Sequence, residues 1–416
     1  MNKKIMFIIP NLTGGGAERA LVNIYEGLRN YKNYELFIVL LQNLKNYEIS
    51  DENLIIIDTP GSKNLLLKLK NFIKRLYSLY SIKKRIKPDI CISFLESADA
   101  LNLLTKQRNQ KIILSIRSYM SKLFKEDYSK SIFKYLLRII YSSTYKVLVN
   151  RADLIICVSR AVADDFRSFY NVDNNKIKVI YNPIQIDVIE ELKQEPLNEY
   201  ETIFEQPVLI TSGRLTKAKG HWYLIRAFKL LKEKSQKLKL VILGKGELKD
   251  YLIELSENLG LKTFVWDRNI FSNNYDVYFL GFQKNPFKFI SKAKVFVFTS
   301  LWEGFPNALV EAMACNVPVI STDCKSGPRE ILAPTTNYSY QTNKPEFSEY
   351  GILLPVFNSI FKYADEPYID EEKVFADILY SLLENEKLRQ SYAHKAKERV
   401  EDFRIETIIK EWRETL

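Results

Sequence analysis

The stretch Thr299–Leu332 reads TSLWEGFPNALVEAMACNVPVISTDCKSGPREIL. It holds Glu303 and Glu311, eight positions apart. The run before it, Val295–Phe298, is β-branched and aromatic, which predicts a buried strand. Gly304 and Pro306 end that strand. Asn307 suits an N-cap, and Ala308–Ala314 favours helix throughout. A strand, a tight turn and a helix N-terminus leave free backbone N–H groups aimed at the turn, which makes an anion site. Glu303 then sits at the strand end and Glu311 about two turns down the helix. One carboxylate can face a polyhydroxyl ligand at the mouth, and the other can reach a ribose.

Outward from this stretch, strands and helices alternate along the whole chain. Strands are predicted at Lys4–Pro10, Glu35–Leu41, Leu54–Ile57, Asp89–Phe94, Lys111–Ile116, Leu154–Ser159 and Ile177–Tyr181. Helices are predicted at Ala17–Asn30, Leu65–Lys87 and Ala161–Tyr170. A second series of strands runs through Val208–Ser212, Leu238–Leu243, Val277–Leu280, Val295–Phe298 and Val317–Ser321, with helices at Tyr223–Lys234 and Leu248–Leu259. Such alternation argues for α/β units with parallel sheets covered on both faces. At 416 residues the chain suits two domains. The join falls in Asn182–Gln206, a mostly polar segment with Pro183 and Pro196. Ala333–Tyr350 reads as a loop and predicts a mobile or acceptor-facing insertion.

EGFPN, EAMA, PVI, TD and GPREIL occur in order in the opening stretch. Together they resemble the E-x7-E signature of the family 4 retaining glycosyltransferases. The resemblance implies the GT-B fold: two Rossmann-like domains with parallel sheets facing a central cleft. It places an acceptor-side domain at 1–184 and a nucleotide-sugar domain at 185–403. A last helix, 404–416, crosses back onto the first domain. By the same resemblance Glu303 contacts the donor sugar and Glu311 the ribose, with Gly304, Phe305, Pro306 and Asn307 lining the donor. Asn316 stands where the family usually has Gly. GPREIL is similar to members that add N-acetylhexosamine or hexose units to lipid-linked glycans, including N-acetylgalactosaminyltransferases.

Two further loops carry candidate chemistry. GRLTKAKGHWYLIRAF, Gly213–Phe228, follows a strand directly. It resembles the family's Arg/Lys motif, so Arg214 and Lys219 would hold the donor diphosphate beside Gly213. The chemistry needs them, because a leaving diphosphate gains charge that fixed cations must meet. Arg grips phosphate through a fork and Lys as a point charge. NLTGGGAER, Asn11–Arg19, follows the first strand. Its glycines allow close approach of a ligand, and Gly15 and Gly16 open a helix. A dinucleotide fingerprint would need Gly where Arg19 stands. By resemblance, Arg19 faces the acceptor. Gly244 follows another strand, and Gly281 and Phe282 in FLGF would contact the base. Where many family members place a His, this chain has Ile-Arg-Ser-Tyr, so Arg117 would approach the leaving group or an acceptor phosphate. Asp99, Glu96 and Glu18 are the candidates for an acceptor-activating group.

There is no Asp-x-Asp, and Cys91, Cys157, Cys315 and Cys324 lack metal-ligand spacing. No metal or cofactor is therefore expected, only a UDP-sugar as donor substrate. His221 and His394 read as bystanders. Free thiols and the lack of a signal peptide or transmembrane run point to the cytosol. Charge is uneven. Residues 1–182 carry 30 Lys and Arg against 16 Asp and Glu, and the remaining 234 carry 31 against 34. A basic half calls for an anionic partner. No nucleic-acid motif is present, so an anionic membrane surface is the expected one. In Ser62–Pro88 an apolar stripe (Leu65, Leu69, Phe72, Ile73, Leu76 and Tyr80) is ringed by Lys63, Lys68, Lys70, Lys74, Arg75, Lys83, Lys84, Arg85 and Lys87. Ser118–Arg138 is a second basic, aromatic stretch. The rival readings are a GT-B nucleotide-sugar epimerase and a non-catalytic binder of sugar nucleotides or nucleic acid.

Overall fold

A computed structural model describes residues 2–45, 53–62, 64–122 and 142–416. The chain divides into two compact units, Met1–Pro183 with Ile405–Leu416, and Ile184–Arg404.

Among the described residues the first unit is built on seven parallel strands. In chain order they are β1 (Lys3–Ile9), β2 (Tyr34–Leu40), β3 (Leu54–Ile56), β4 (Ile90–Phe94), β5 (Lys111–Ile116), β6 (Leu154–Cys157) and β7 (Ile177–Val179). They lie in the order β3-β2-β1-β4-β5-β6-β7. β1 and β4 run through the middle and are buried almost along their length. That is why they read as continuous apolar runs rather than as alternating ones. The terminal helix Ile405–Arg413 belongs to this unit, and it buries Ile408, Ile409 and Trp412 in the same core as Ile5, Phe7 and Leu21. Lys3 Nζ donates to Leu416 O at 2.7 Å, Lys111 Nζ donates to Thr415 O at 2.6 Å, and Arg413 lies 3.8 Å over the Tyr31 ring.

The second unit has eight strands: β8 (Val208–Ser212), β9 (Lys239–Leu243), β10 (Thr263–Val265), β11 (Val277–Gly281), β12 (Val295–Phe298), β13 (Val319–Thr322), β14 (Glu346–Phe347) and β15 (Ile352–Leu354). Their order is β10-β11-β9-β8-β12-β13-β15-β14, parallel except for the antiparallel edge pair β14–β15. Its core gathers Leu209, Ile242 and Val297 from the sheet with Trp222, Phe228 and Leu252 from the covering helices.

The mostly polar segment Asn182–Gln206, in which the division between the units falls, holds a helix, Ile186–Leu192, and a 3-10 turn, Asn198–Glu205. Its polar residues are the outer faces of these short elements, and Ile186, Ile189 and Ile203 are buried beneath. A helix at Glu96–Leu104 was not foreseen. Asp99 and Asn102 are buried in it, which breaks the apolar period that would announce it. Asn307 is the first residue of its helix, Asn307–Ala314, with Pro306 in the cap position and no side-chain cap. Asn316 holds the turn after that helix with φ +61, a left-handed conformation that Asn tolerates in place of Gly.

Candidate active site

In the second sheet the chain passes from β8 to β9 on one side and returns to β12 on the other. The crevice between β8 and β12 is therefore a topological switch point, where open α/β sheets bind ligands beyond their strand ends. Two loops meet there. One follows β8 and forms a 3-10 turn, Lys217–Lys219. The other follows β12 through Thr299–Pro306 to the Asn307–Ala314 helix.

The backbone locks these loops together. Leu301 N–H donates to Ala218 O at 2.7 Å, and Thr299 Oγ1 donates to Lys219 O at 3.0 Å. Gly220 carries φ +59, and a Cβ there would lie 2.5 Å from Thr299 O, so this close approach requires glycine. The result is a short ion pair, Lys219 Nζ to Glu303 Oε1 at 2.5 Å. Ser300 Oγ donates to the same carboxylate oxygen at 2.6 Å. Lys219 Nζ also lies 5.0 Å from the centre of the Phe298 ring, and its stem packs against Gly213. The side chains remain reachable, at 19% exposure for Lys219 and 12% for Glu303. Lys219 keeps two further N–H donors for a ligand.

Arg214 is exposed at the β8 end, and its guanidinium has no partner among the described residues. Glu311 is buried at 5% exposure on the second turn of its helix. Gly304 and Phe305 form the turn between the two carboxylates, and Ser326 Oγ donates to Gly304 O at 2.6 Å. Gly244 follows β9 beside Gly213, and its N–H donates to Gly281 O at 2.7 Å. Phe282, next to Gly281, is 52% exposed. The predicted donor-side residues of this unit thus line the ends of four adjacent strands, β11, β9, β8 and β12. His221 is buried just behind Lys219, and burial lowers it to about 3, so it stays neutral at working pH. Cys324 is buried near the pair, its thiol raised well above the usual range by burial and by Glu303.

In the first unit the switch point lies between β1 and β4. Gly15 and Gly16 start the Gly16–Arg29 helix after β1, and the Glu18 carboxylate folds back over Gly15. Arg19 lies in the first turn and is half-buried. Leu95, at the β4 end, carries φ +73, which an L side chain rarely adopts. Arg117 is held inside its own unit. Its Nε donates to Ser115 Oγ at 2.7 Å and its Nη1 to Asn182 Oδ1 at 2.5 Å. Its plane lies 5.1 Å from the Phe94 ring and 5.8 Å from the Trp412 ring. Asp99 is 1% exposed and accepts from Tyr145 OH at 2.9 Å. Burial raises it to about 8, so at neutral pH it is largely a protonated acid inside the fold.

Sequence reasoning missed Ser300 and Ser326, which orient the Glu303 turn. Both fall inside the quoted stretch, yet serines in a loop carry no pattern that separates a brace from a solvated hydroxyl. Among the described residues no three His, Cys, Asp or Glu side chains cluster as a metal site would need.

The comparisons with known proteins follow this geometry. Residues 14–188 match the model of the family described as Glycosyltransferase Family 4. Residues 193–350 match Glycosyl transferases group 1. An uncharacterised glycosyltransferase of Methanocaldococcus jannaschii is 41% identical over 377 residues, covering 87% of each chain. The chain belongs to the family 4, group 1 glycosyltransferases. A Campylobacter jejuni relative of this glycosyltransferase is 29% identical over 408 residues, 96% of each chain. It is named an N-acetylgalactosamine-N,N'-diacetylbacillosaminyl-diphospho-undecaprenol 4-alpha-N-acetylgalactosaminyltransferase. The Anabaena protein HepE, solved with UDP and glucose, superposes with a TM-score of 0.71 at 18% identity, over 100% of this chain and 99% of that one. The glycosyltransferase thus has the GT-B fold.

Proposed function

We propose that this glycosyltransferase moves a hexose or N-acetylhexosamine from a UDP-sugar to a hydroxyl of a lipid-linked glycan, with retention at the anomeric carbon. The Lys219–Glu303 pair at the β8–β12 switch point carries the reading. It sets a cation for the leaving diphosphate beside a carboxylate for sugar hydroxyls. The names of the Campylobacter relative and of the Anabaena complex support the acceptor and donor classes.

The acceptor hydroxyl attacks the anomeric carbon from the face that UDP leaves. The bond from that carbon to the β-phosphate oxygen breaks, the electron pair stays on the phosphate, and the acceptor proton passes to the departing oxygen. Lys219, Arg214 and the first-turn N–H groups of the Asn307–Ala314 helix meet the growing charge. Glu303 orients the sugar and Glu311 the ribose. Gly281 and Phe282 meet the base, and Arg19 lies on the acceptor side. Arg117, turned inward, supports the fold rather than the acceptor phosphate. This assignment leaves the positive charge to side chains and requires no metal. Incubation with UDP-N-acetylhexosamine and an undecaprenyl-diphosphate glycan in chelator should give an extended glycan whose new linkage is α by NMR. An inverted linkage, or activity restored only by a divalent cation, would overturn it.

The partner for the basic half is proposed to be an anionic bilayer, with the enzyme peripheral at the inner face of the cell membrane. The Leu65–Ile86 helix has no acidic residue in its sequence and exposes Leu66, Leu67, Leu69, Phe72, Ile73, Tyr77 and Tyr80. Lys68, Lys70 and Lys74 stand among them. Of its cations one is buried and another is turned to the backbone and half-buried. Lys83 is fully buried and donates to Asn102 Oδ1 at 2.7 Å, and Arg75 donates to Thr59 O at 3.0 Å. Lys63 and most of Ser118–Arg138 lie outside the described residues. Among those described, no helix is long and apolar enough to cross a membrane. Flotation with phosphatidylglycerol vesicles at physiological salt should carry the protein up, and Leu66→Ser with Ile73→Ser should leave it at the bottom.

A further inference from the structure

The segment after β13, Asp323–Arg329, runs beside the Glu303 turn and is fastened to it at three points. Glu303 N–H donates to Lys325 O at 2.9 Å, and Ser326 N–H donates to Glu303 O at 3.0 Å. Gly327 lies so close to Pro306 that a Cβ would meet its Cδ at 2.3 Å.

The far side of the segment is held by a buried charge network. Arg329 is 3% exposed and Asp323 1% exposed. Arg329 donates to Asp323 Oδ2 from Nε at 3.0 Å and from Nη2 at 2.6 Å. It donates to Glu346 from Nη1 at 3.1 Å and from Nη2 at 2.8 Å, and to Thr336 Oγ1 at 3.0 Å. Its five donors are thereby used. Asp323 in turn accepts from Thr342 N–H at 2.6 Å, and its carbonyl accepts from Gln341 Nε2 at 2.7 Å. Tyr340 covers the guanidinium at 4.9 Å. The loop after residue 333, expected as a mobile or acceptor-facing insertion, is thus tied by Thr336, Gln341, Thr342 and Glu346 to the segment that braces Glu303.

We propose that Arg329 and Asp323 are positioning residues for the donor sugar: they transmit the conformation of the 336–346 loop to Glu303, and so set the sugar preference of the site. The proposal rests on the reading of Glu303 as the sugar-facing carboxylate. Breaking the brace loosens Glu303 but leaves Lys219 and Glu311 to hold the nucleotide. Sugar selectivity is then lost while UDP affinity is kept, an outcome that general destabilisation of the unit does not produce.

Two measurements on the full chain test this with Arg329→Lys, which keeps the charge and loses the fork. Glu346→Gln, at the outer and partly exposed end of the network, serves if the first variant does not fold. Amide exchange at Glu303 and Ser326 should quicken by about 10-fold or more, with β8 and β9 unchanged. Affinity for UDP should stay within about twofold, while the preference for the UDP-sugar over UDP falls about 10-fold. Unchanged exchange at both amides, or equal losses for UDP and UDP-sugar, would overturn the proposal. If the wild-type protein binds neither ligand, the donor reading fails, and the exchange arm still decides whether the brace holds the Glu303 turn.

Discussion

At the centre of the first sheet β1 lies between β2 and β4, and at the centre of the second β8 lies between β9 and β12. The plans match, and the charges near them differ. Beyond β8 and β12 the Lys219–Glu303 pair stands at the strand ends, with Arg214 exposed beside it. Around β4 three charged groups are turned into the fold, while Glu96 at the strand end is half-buried. Lys83 and Asp99 are buried, and Arg117 is packed between Phe94 and Trp412. A charge at a strand end serves a ligand when a partner holds it without enclosing it. One that is enclosed serves the fold, and its protonation shifts instead. Burial lowers Lys83 and raises Asp99, each to about 8.

That contrast can be broken by substitution. The largest effect belongs to Lys219→Ala, which should slow turnover by about 100- to 1000-fold in steady-state kinetics, with little change in the melting temperature. A smaller loss, or a large drop in stability, would place Lys219 with the enclosed charges. Arg117→Met should do the reverse. Calorimetry should find the first unit less stable by about 1–3 kcal/mol, because Asn182 and Ser115 lose their donor, while UDP affinity is unchanged.

The smallest effect sharpens the comparison through pH. The folded value of Asp99 lies above its ordinary value, so the native state binds its proton more tightly than the unfolded chain does. Its stabilisation is fully present below the ordinary carboxylate range and is lost as pH rises through about 8. Asp99→Asn should remove that part of the decline in melting temperature between pH 5 and 9. Lys83 titrates alike in both proteins and cancels in the difference. Parallel curves would show that Asp99 is ionised in the fold.

Most strands of the two sheets were legible because strands buried on both faces read as unbroken apolar runs, and several turns after them held Gly or Pro; the short strands β10, β14 and β15 were not read from the sequence. The donor-side loops were legible because glycines, Arg214, Lys219 and two glutamates sit at fixed offsets from those strands. What the sequence hid were residues whose role depends on a distant partner. Nothing local to Arg117 reveals its bond to Asn182 or the Trp412 ring beside it. Asp99 looked like a base because burial has no local signature. Arg329 stood in a recognised motif, yet its partners Glu346 and Thr336 lie in a loop that reads as unstructured. Asn316 departs from the resemblance in residue type and meets the same backbone need.

The most direct test of the central claim is calorimetric titration of the purified protein, in chelator, with UDP-, GDP- and ADP-sugars, repeated with Glu311→Ala. The account predicts selective binding of one UDP-sugar, weakened about 10- to 100-fold in the variant as the ribose loses its carboxylate. Binding of no nucleotide-sugar, or equal affinity in the two proteins, would contradict it.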